Sequence, residues 1–413
     1  MINWNLDNYR QVFRYPSFRR FWVGFTLSVL GDTMTRVALT WFVYETTGSA
    51  RALGWLTLFY TGPVIVGGLL AGWLLDRFER RTVMLIDSLV RGGGVILIPG
   101  LYAMDQLALW HIYAVAGLHG LLMMISLAGG PSLVPALVPK QHLATANALE
   151  TLSFTLGGVI GPPVAGFLIG RLGAPNVIIL DAVSYGVFAL ALSRVKPIIE
   201  AGVSAQVAQP TYHLKAAIQL LLKKKILLST TLMFMSANFG IGAMFVWLPI
   251  FSDRTLGGGS ELYGLLLGFL SAGEVISSVL AGTLTLSLSL GLLICLGQFL
   301  AGIALGLLLL GQSLWGTAAG LTLFGLFSAP LTIWAQTLRM QIIPEPLRGR
   351  TFALLRMLMQ GTNPLGGVMA GLLLPSLGLP ALIGLSALLV GGPGLIGHRL
   401  KELRLGQNEI ELT

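Results

Sequence analysis

Apolar runs of close to 20 residues recur from one end of this chain to the other, separated by short charged or glycine-bearing turns. Wound as an α-helix, about 20 residues reach ~30 Å, the thickness of a bilayer's hydrocarbon core. A helix closes its backbone hydrogen bonds within one segment, which lipid demands of any spanning structure that is not a closed barrel. Of 413 residues, 54% are hydrophobic and only 10% charged, against about 25% charged in a soluble domain. The pattern predicts an all-α, polytopic membrane protein. No removable leader is expected, because the first run begins at Phe21 behind charged residues, is long enough to span and lacks a small-residue cleavage site. Cys295 is the sole cysteine, which excludes an internal disulfide and any cysteine-built metal cluster.

The formal charge of +9 is no nucleic-acid footprint, because it sorts by loop. Of the 26 Lys and Arg, 20 lie in one alternating set of loops and 3 (Arg51, Arg171, Arg254) in the other. That asymmetry predicts both termini on the cytoplasmic side. Helical spans are predicted over 18–46, 52–76, 82–101, 108–138, 141–170 and 175–194, then over 226–252, 260–284, 287–311, 314–341, 346–374 and 378–400. The expected fold is therefore twelve transmembrane helices. The predicted domains are an N-terminal six-helix bundle (1–194, with a short interfacial helix at 4–16), a cytoplasmic linker with an amphipathic helix (195–225), a C-terminal six-helix bundle (226–400) and a cytoplasmic tail (401–413).

An internal repeat fits this split. At an offset of 205 residues Gly161, Gly166, Gly173 and Pro175 face Gly366, Gly371, Gly378 and Pro380; at 210, Gly54, Phe59 and Gly72 face Gly264, Phe269 and Gly282. Small and apolar residues dominate both matches, so chance similarity competes with duplication. Two pseudo-symmetric bundles around a midplane site are the architecture expected.

Between the second and third spans the chain reads Gly72-Trp-Leu-Leu-Asp76-Arg77-Phe-Glu79-Arg80-Arg81. Gly72 would let two helices approach closely. Asp76, near a helix C-terminus, is disfavoured by the dipole and should seek a cation or another helix's N-terminus. The plain alternative is a topology anchor, since short inside loops carry arginine. The pattern resembles the signature loop of the major facilitator superfamily, with Glu79 where many members have glycine. The resemblance implies a major facilitator fold and a latch at the cytoplasmic gate centred on Asp76.

Ionisable residues inside spans are expensive unless they face a partner or a cavity. Asp32 and Arg36 lie four residues apart in the first span. They form either a coupling carboxylate at a cavity wall or a self-neutralised packing pair. At an offset of 206 the counterpart of Asp32 is Asn238. Glu274 sits mid-span with no base within helical reach, a candidate to carry a proton or an acid merely hydrogen-bonded to Ser271 or Ser278. Asp87 and Arg91, again four apart, are expected to brace the Asp76 loop. Glu150 and Arg356 suggest an ion pair closing the cytoplasmic side. His119 is a proton relay or a packing histidine. Trp22, Phe25, Trp41, Phe59, Trp247, Phe269 and Trp334 could line an adaptable apolar cavity, face lipid or form interfacial belts.

In the fifth span Gly157, Gly161, Ala165 and Gly166 make a small-residue face, and Pro162 bends the helix. This spacing resembles the fifth-helix motif of exporting antiporters, with Ala165 where glycine is usual. Gly31-Asp32 leading to Trp41-Phe-Val-Tyr44, the stretch Leu133–Pro139 followed by Ala146-Asn147-Ala148-Leu149, and Leu347-Arg348-Gly349-Arg350 resemble the branch of macrolide and enterobactin exporters. Efflux of an amphipathic small molecule by alternating access is what the resemblance implies, driven by protons, with sodium open because span 4 lacks the arginine usual in drug/proton antiporters. An importer or lipid transporter of the same fold, and a transport-inactive receptor or scaffold, are the rival readings. No phosphate-binding loop, metal-ligand spacing or nucleophile elbow is present. The chain is thus expected to be no enzyme, to hold no cofactor or metal, and to work as a monomer in the inner membrane with a small-molecule substrate.

Overall fold

The computed structural model describes residues 6–196, 213–283, 288–310 and 313–404, and among these the chain is helical, with no strand. The first half comprises α1 Leu6–Phe13, α2 Pro16–Thr47, α3 Ala50–Thr61, α4 Val64–Arg77, α5 Arg80–Ala103, α6 Leu109–Leu133, α7 Leu143–Leu172 and α8 Ala174–Ser193. After the predicted linker, of which 197–212 lie outside the described residues, come α9 His213–Lys223, α10 Lys225–Arg254, α11 Gly259–Thr283, α12 Leu290–Gly306, α13 Leu314–Ile342, α14 Arg348–Gly397 and α15 Lys401–Arg404. By length and composition, 10 of the described helical stretches can cross a membrane. The helix α2 is 32 residues long but is not among them, carrying Arg19, Arg20, Asp32, Arg36 and Glu45.

Two boundaries differ from the sequence expectation. The span predicted as one helix over 52–76 breaks at Gly62-Pro63 into α3 and α4. Pro63 has no N–H to return to Phe59, and its ring crowds that turn; the helix restarts with Gly67 N–H on the Pro63 carbonyl at 2.8 Å. The spans predicted over 346–374 and 378–400 form one run, α14, whose non-helical residue is Gly378 at φ 78°. Gly173, between α7 and α8, has φ 81°. Both positions lie in the left-handed region that a Cβ disfavours. A proline follows each by two residues, Pro175 and Pro380, preset for a helix's first turn.

The helices gather into two compact units, residues 1–46 with 59–207, and residues 47–58 with 208–413. In the first, α5 packs on α8 and α6, and α4 on α6. The aromatic rings of Phe21, Phe25, Phe154 and Phe188 interlock in its core, with Phe25 stacked on Phe21 at 5.4 Å. In the second, α10 packs on α14, α11 on α13, and α12 on both α13 and α14. The large apolar side chains also point outward: Leu69 and Trp315 are each 75% exposed and Leu388 70%. A soluble protein rarely leaves such surface to water, and lipid is the solvent that suits it.

With apolar surface offering no drive between helices in lipid, close packing holds them together, and small residues permit it. A Cβ on Gly157 would lie 2.7 Å from Val29, and one on Gly161 would collide with Thr33, so α7 lies directly on α2. The second unit repeats the crossing: Gly366 of α14 abuts the backbone of Phe239, and Thr362 donates to the Met235 carbonyl at 2.7 Å. Gly242 of α10 meets the Asn363 backbone in the same way. Gly72, expected at such a contact, has nothing within 4 Å of its would-be Cβ. It sits on the exposed side of α4, turned away from α6.

Gly242→Val should therefore overpack the α10–α14 seam at about 1–3 kcal/mol and lower the melting temperature of detergent-purified protein. Gly186→Ala, in open space, should leave that temperature unchanged or raise it, helped by the better helix propensity of alanine, ~1 kcal/mol.

Candidate functional site

The first unit contains a cluster of charge in its interior. Arg91, on α5 eleven residues after its start, is 1% exposed. Its Nε donates to Asp87 Oδ1 at 3.1 Å and its Nη2 to Asp87 Oδ2 at 2.5 Å. One helical turn separates the two residues, so this bidentate fork needs no tertiary help. The rest of the guanidinium looks away from α5. Nη1 donates to Asp32 Oδ2 of α2 at 3.2 Å and to the Tyr185 hydroxyl of α8 at 2.8 Å. Nη2 also reaches Ser126 of α6, whose hydroxyl bonds Asp87 Oδ2 at 3.1 Å. The Tyr185 hydroxyl in turn donates to Asp32 Oδ1. Four helices thus converge on one cation.

Exposure is uneven within the cluster. The side chains of Arg91 and Asp87 are sealed, whereas that of Asp32 is 21% exposed. Asp32 is the carboxylate through which the buried network meets the outside. His119 of α6 stacks on Tyr60 at 4.9 Å, with Nδ1 3.4 Å from the Tyr185 hydroxyl. Arg36 lies over the face of Tyr60, 5.6 Å from its centroid. Asp181 of α8, one turn before Tyr185, is fully buried.

Several sequence expectations change here. Asp32 pairs with Arg91 of α5, a partner that the packing-pair alternative with Arg36 did not foresee. Asp87 and Arg91 do not brace the Asp76 loop; eleven residues of helix carry Arg91 about 16 Å beyond the start of α5. Asp76 itself is exposed and pairs with no described residue. Arg80 and Arg81 donate instead to the carbonyls of Ser132 and Val195, at 2.8 Å each. Carbonyls at helix ends lack intrahelical partners and draw cations. Arg77 lies over Trp73, and Arg81 pairs with Glu79 at 3.2 Å.

The remaining candidates have other surroundings, each within its own unit. Glu150 is buried beside Phe25 and Gly130 with Oε1 unpartnered, while Arg356 is exposed on the second unit. Glu274 lies on the exposed side of α11, and Ser277 and Ser278 bond its backbone carbonyl and not its carboxylate. Asn238 donates to the Phe234 carbonyl of its own helix at 2.9 Å. Gly157, Gly161, Pro162 and Gly166 lie on α7, where the two glycines named first meet α2. Phe25 and Trp247, offered as cavity aromatics, are 1% and 0% exposed; the first is held among phenylalanines and the second donates to Ser386 at 3.1 Å. Sequence reasoning passed over Tyr60, Ser126, Asp181 and Tyr185. An acid near the middle of an apolar span was a sufficient signal for Asp181; the tyrosines and the serine carried none.

Comparison with known proteins agrees with this architecture. The family model of the Major Facilitator Superfamily matches residues 21–367. An uncharacterized MFS-type transporter, y4rN of Sinorhizobium fredii, is 26% identical over 378 residues, covering 89% of this chain and 91% of the relative. The enterobactin exporter EntS of Escherichia coli is 28% identical over 352 residues, covering 81% and 80%. Among solved structures the nucleoside transporter NupG superposes with a TM-score of 0.75 at 14% identity, over 92% of this chain and 98% of that one. A bacterial homologue of the iron transporter ferroportin gives 0.70 at 16% identity, over 93% and 99%. These relatives are transporters, none an enzyme, and a chain of long apolar helices matched by the family model over most of its length belongs to the Major Facilitator Superfamily.

Proposed function

We propose that this protein is a proton-coupled exporter of amphipathic small molecules in the inner membrane, with both termini cytoplasmic. Twelve spans form two six-helix bundles, 1–194 and 226–400, that alternate access to a central site. The equal geometry of Gly173 and Gly378, and the α7-on-α2 crossing repeated by α14 on α10, support the duplication. Likeness to the enterobactin exporter, together with the small-residue face of α7, supports efflux.

One observation carries the coupling: Asp32, partly accessible, is bonded into a sealed cation site. Ionised, it shares Arg91 with Asp87 and accepts from Tyr185. A proton on Asp32 removes its charge: the ion pair with Arg91 is lost, and the Tyr185 bond becomes a neutral one, roughly half as strong. Arg91 keeps Asp87 in both states, so the guanidinium is never left bare. The α2–α5–α8 contact is therefore tighter with Asp32 ionised and looser with it protonated, a two-state element that a proton gradient can bias. Substrate that displaces the proton from an opened site would complete an antiport cycle.

The test is a panel of amphipathic dyes in proteoliposomes, with proton flux read in parallel. Asp32→Asn mimics the protonated state; it should lower gradient-driven export by about tenfold or more while substrate exchange without a gradient persists. Export by that variant at the wild-type rate would refute the coupling role. Arg91→Gln leaves Asp87 buried without its cation and should destabilise by about 3–5 kcal/mol. The double change Arg91→Gln with Asp87→Asn should recover most of the lost melting temperature, as seen by dye-monitored unfolding in detergent.

A further inference from the structure

Asp181 is a buried acid that the cycle above does not use. It faces α2 at the backbone: a Cβ on Gly31 would run into Asp181 Oδ1 and Ser184 Oγ. Ser184 divides its single hydroxyl proton between the Asp181 carbonyl at 2.8 Å and Oδ1 at 3.2 Å. Oδ2 has no hydrogen-bond partner. Thr35 on α2, close enough to interact with Asp181, is 0% exposed, and its Oγ1 also lacks a partner of hydrogen-bonding geometry.

Among the described residues the neighbouring cations are engaged elsewhere. A guanidinium has five N–H donors, and those of Arg91 are engaged by Asp87, Asp32, Tyr185 and Ser126. Arg36 lies over Tyr60. Asp32 from α2, Tyr60 from α3, Arg91 from α5 and Tyr185 from its own helix interact with Asp181, and Arg36, Asp87 and His119 adjoin those groups in turn. Three carboxyls thus stand against two guanidiniums, with Asp87, Arg91 and Asp181 buried and Asp32 21% exposed. A bare carboxylate there is costly, and an unpartnered hydroxyl adds to the cost. One proton on Oδ2 balances the charge, and Thr35 Oγ1, a hydroxyl oxygen with free lone pairs, is then an acceptor for it.

We infer that Asp181 stores a proton in the resting site and exchanges it against Asp32, making it a second proton-carrying residue of the first unit. This rests on the proton-coupled reading above. When Asp32 is ionised it occupies Arg91 Nη1, and Asp181 holds the proton. Transfer of that proton to Asp32 makes Asp32 the carboxylic acid, releases Nη1 and leaves Asp181 ionised toward it; the proton then leaves from Asp32, the acid that meets the outside. The exchange is a transfer between two carboxyls; no other bond forms or breaks. Gly31 and Thr35, on either side of Asp32 on α2, tie the two acids to one helix.

Infrared spectroscopy of purified protein carrying carbon-13 aspartate tests this directly. At neutral pH the wild type should show a protonated-carboxyl C=O band that disappears in Asp181→Asn and weakens in Asp32→Asn, where the neutral amide frees Arg91 Nη1 for an ionised Asp181. Thr35→Val, isosteric but without the acceptor, should move that band to higher frequency. In proteoliposomes Asp181→Asn should reduce protons moved per substrate and shift the pH profile of export, while substrate affinity stays within about threefold, since ~0.7 kcal/mol covers that range. A wild type lacking the band, or a band indifferent to both Asp181→Asn and Thr35→Val, would overturn the inference. Should Asp181→Asn fail to fold, the Thr35→Val band shift decides alone. A wild type that exports without moving protons but keeps an Asp181 band would sink the coupling reading and leave the stored proton standing.

Discussion

The guanidinium of Arg91 is the constraint on which the first unit depends. An arginine at the centre of a lipid-facing helix costs about 2.5–3.5 kcal/mol or more. That cost is offset only if every N–H finds an acceptor, and here the acceptors come from α2, α5, α6 and α8. The fork to Asp87 is local and permanent. Asp32 and Tyr185 are long-range, so their bonds exist only when the helices are assembled. Such a group both specifies the packing and makes it responsive: change the charge on the accessible acid, and the contact among three helices changes with it.

The second unit solves the same packing problem with less buried charge: Arg339 of α13, 6% exposed, lies over Phe234 and reaches Met359 Sδ at 3.1 Å. Where the first buries Asp87 and Arg91 on α5, the second has Gln298 on α12, donating to the Met233 carbonyl at 2.8 Å. At the repeat offset of Asp181 stands Ser386, which Trp247 satisfies at 3.1 Å. Its ion pairs Lys225–Glu402 and Arg348–Glu345 lie at helix ends. A proton has little to act on at Gln298 or Ser386. Under the proposed cycle one bundle senses the gradient and the other supplies a partner to move against.

The arginines divide by what was near them. Those at helix ends, Arg20, Arg80 and Arg81, found orphan carbonyls and bind the loops of the first unit together. Asp76, read as the centre of a latch, is left exposed, because its arginine neighbours reach better acceptors within their own unit. A charged loop motif states what could pair; which pairs form depends on the carbonyls that the helix ends bring within reach.

Much of the fold was legible in the chain because a bilayer permits so few alternatives. Run length and the positions of Gly173, Gly378 and their following prolines marked where helices turn, and the α7 glycine spacing marked a contact face. The Pro63 break was equally readable and was passed over. The site was half legible: Asp32, Asp87, Arg91 and His119 announced themselves as polar residues in apolar surroundings. Helical spacing alone suggested Arg36 for Asp32, and the structure brings in Arg91, 59 residues away. Sequence by itself determined that the chain must be helices in lipid and that a few ionisable groups lie among them, since burial without backbone satisfaction is forbidden there. Tertiary structure alone decided which acid shares the cation and which is left without one, because an arginine's donors are finite and only the packed helices fix who reaches them first.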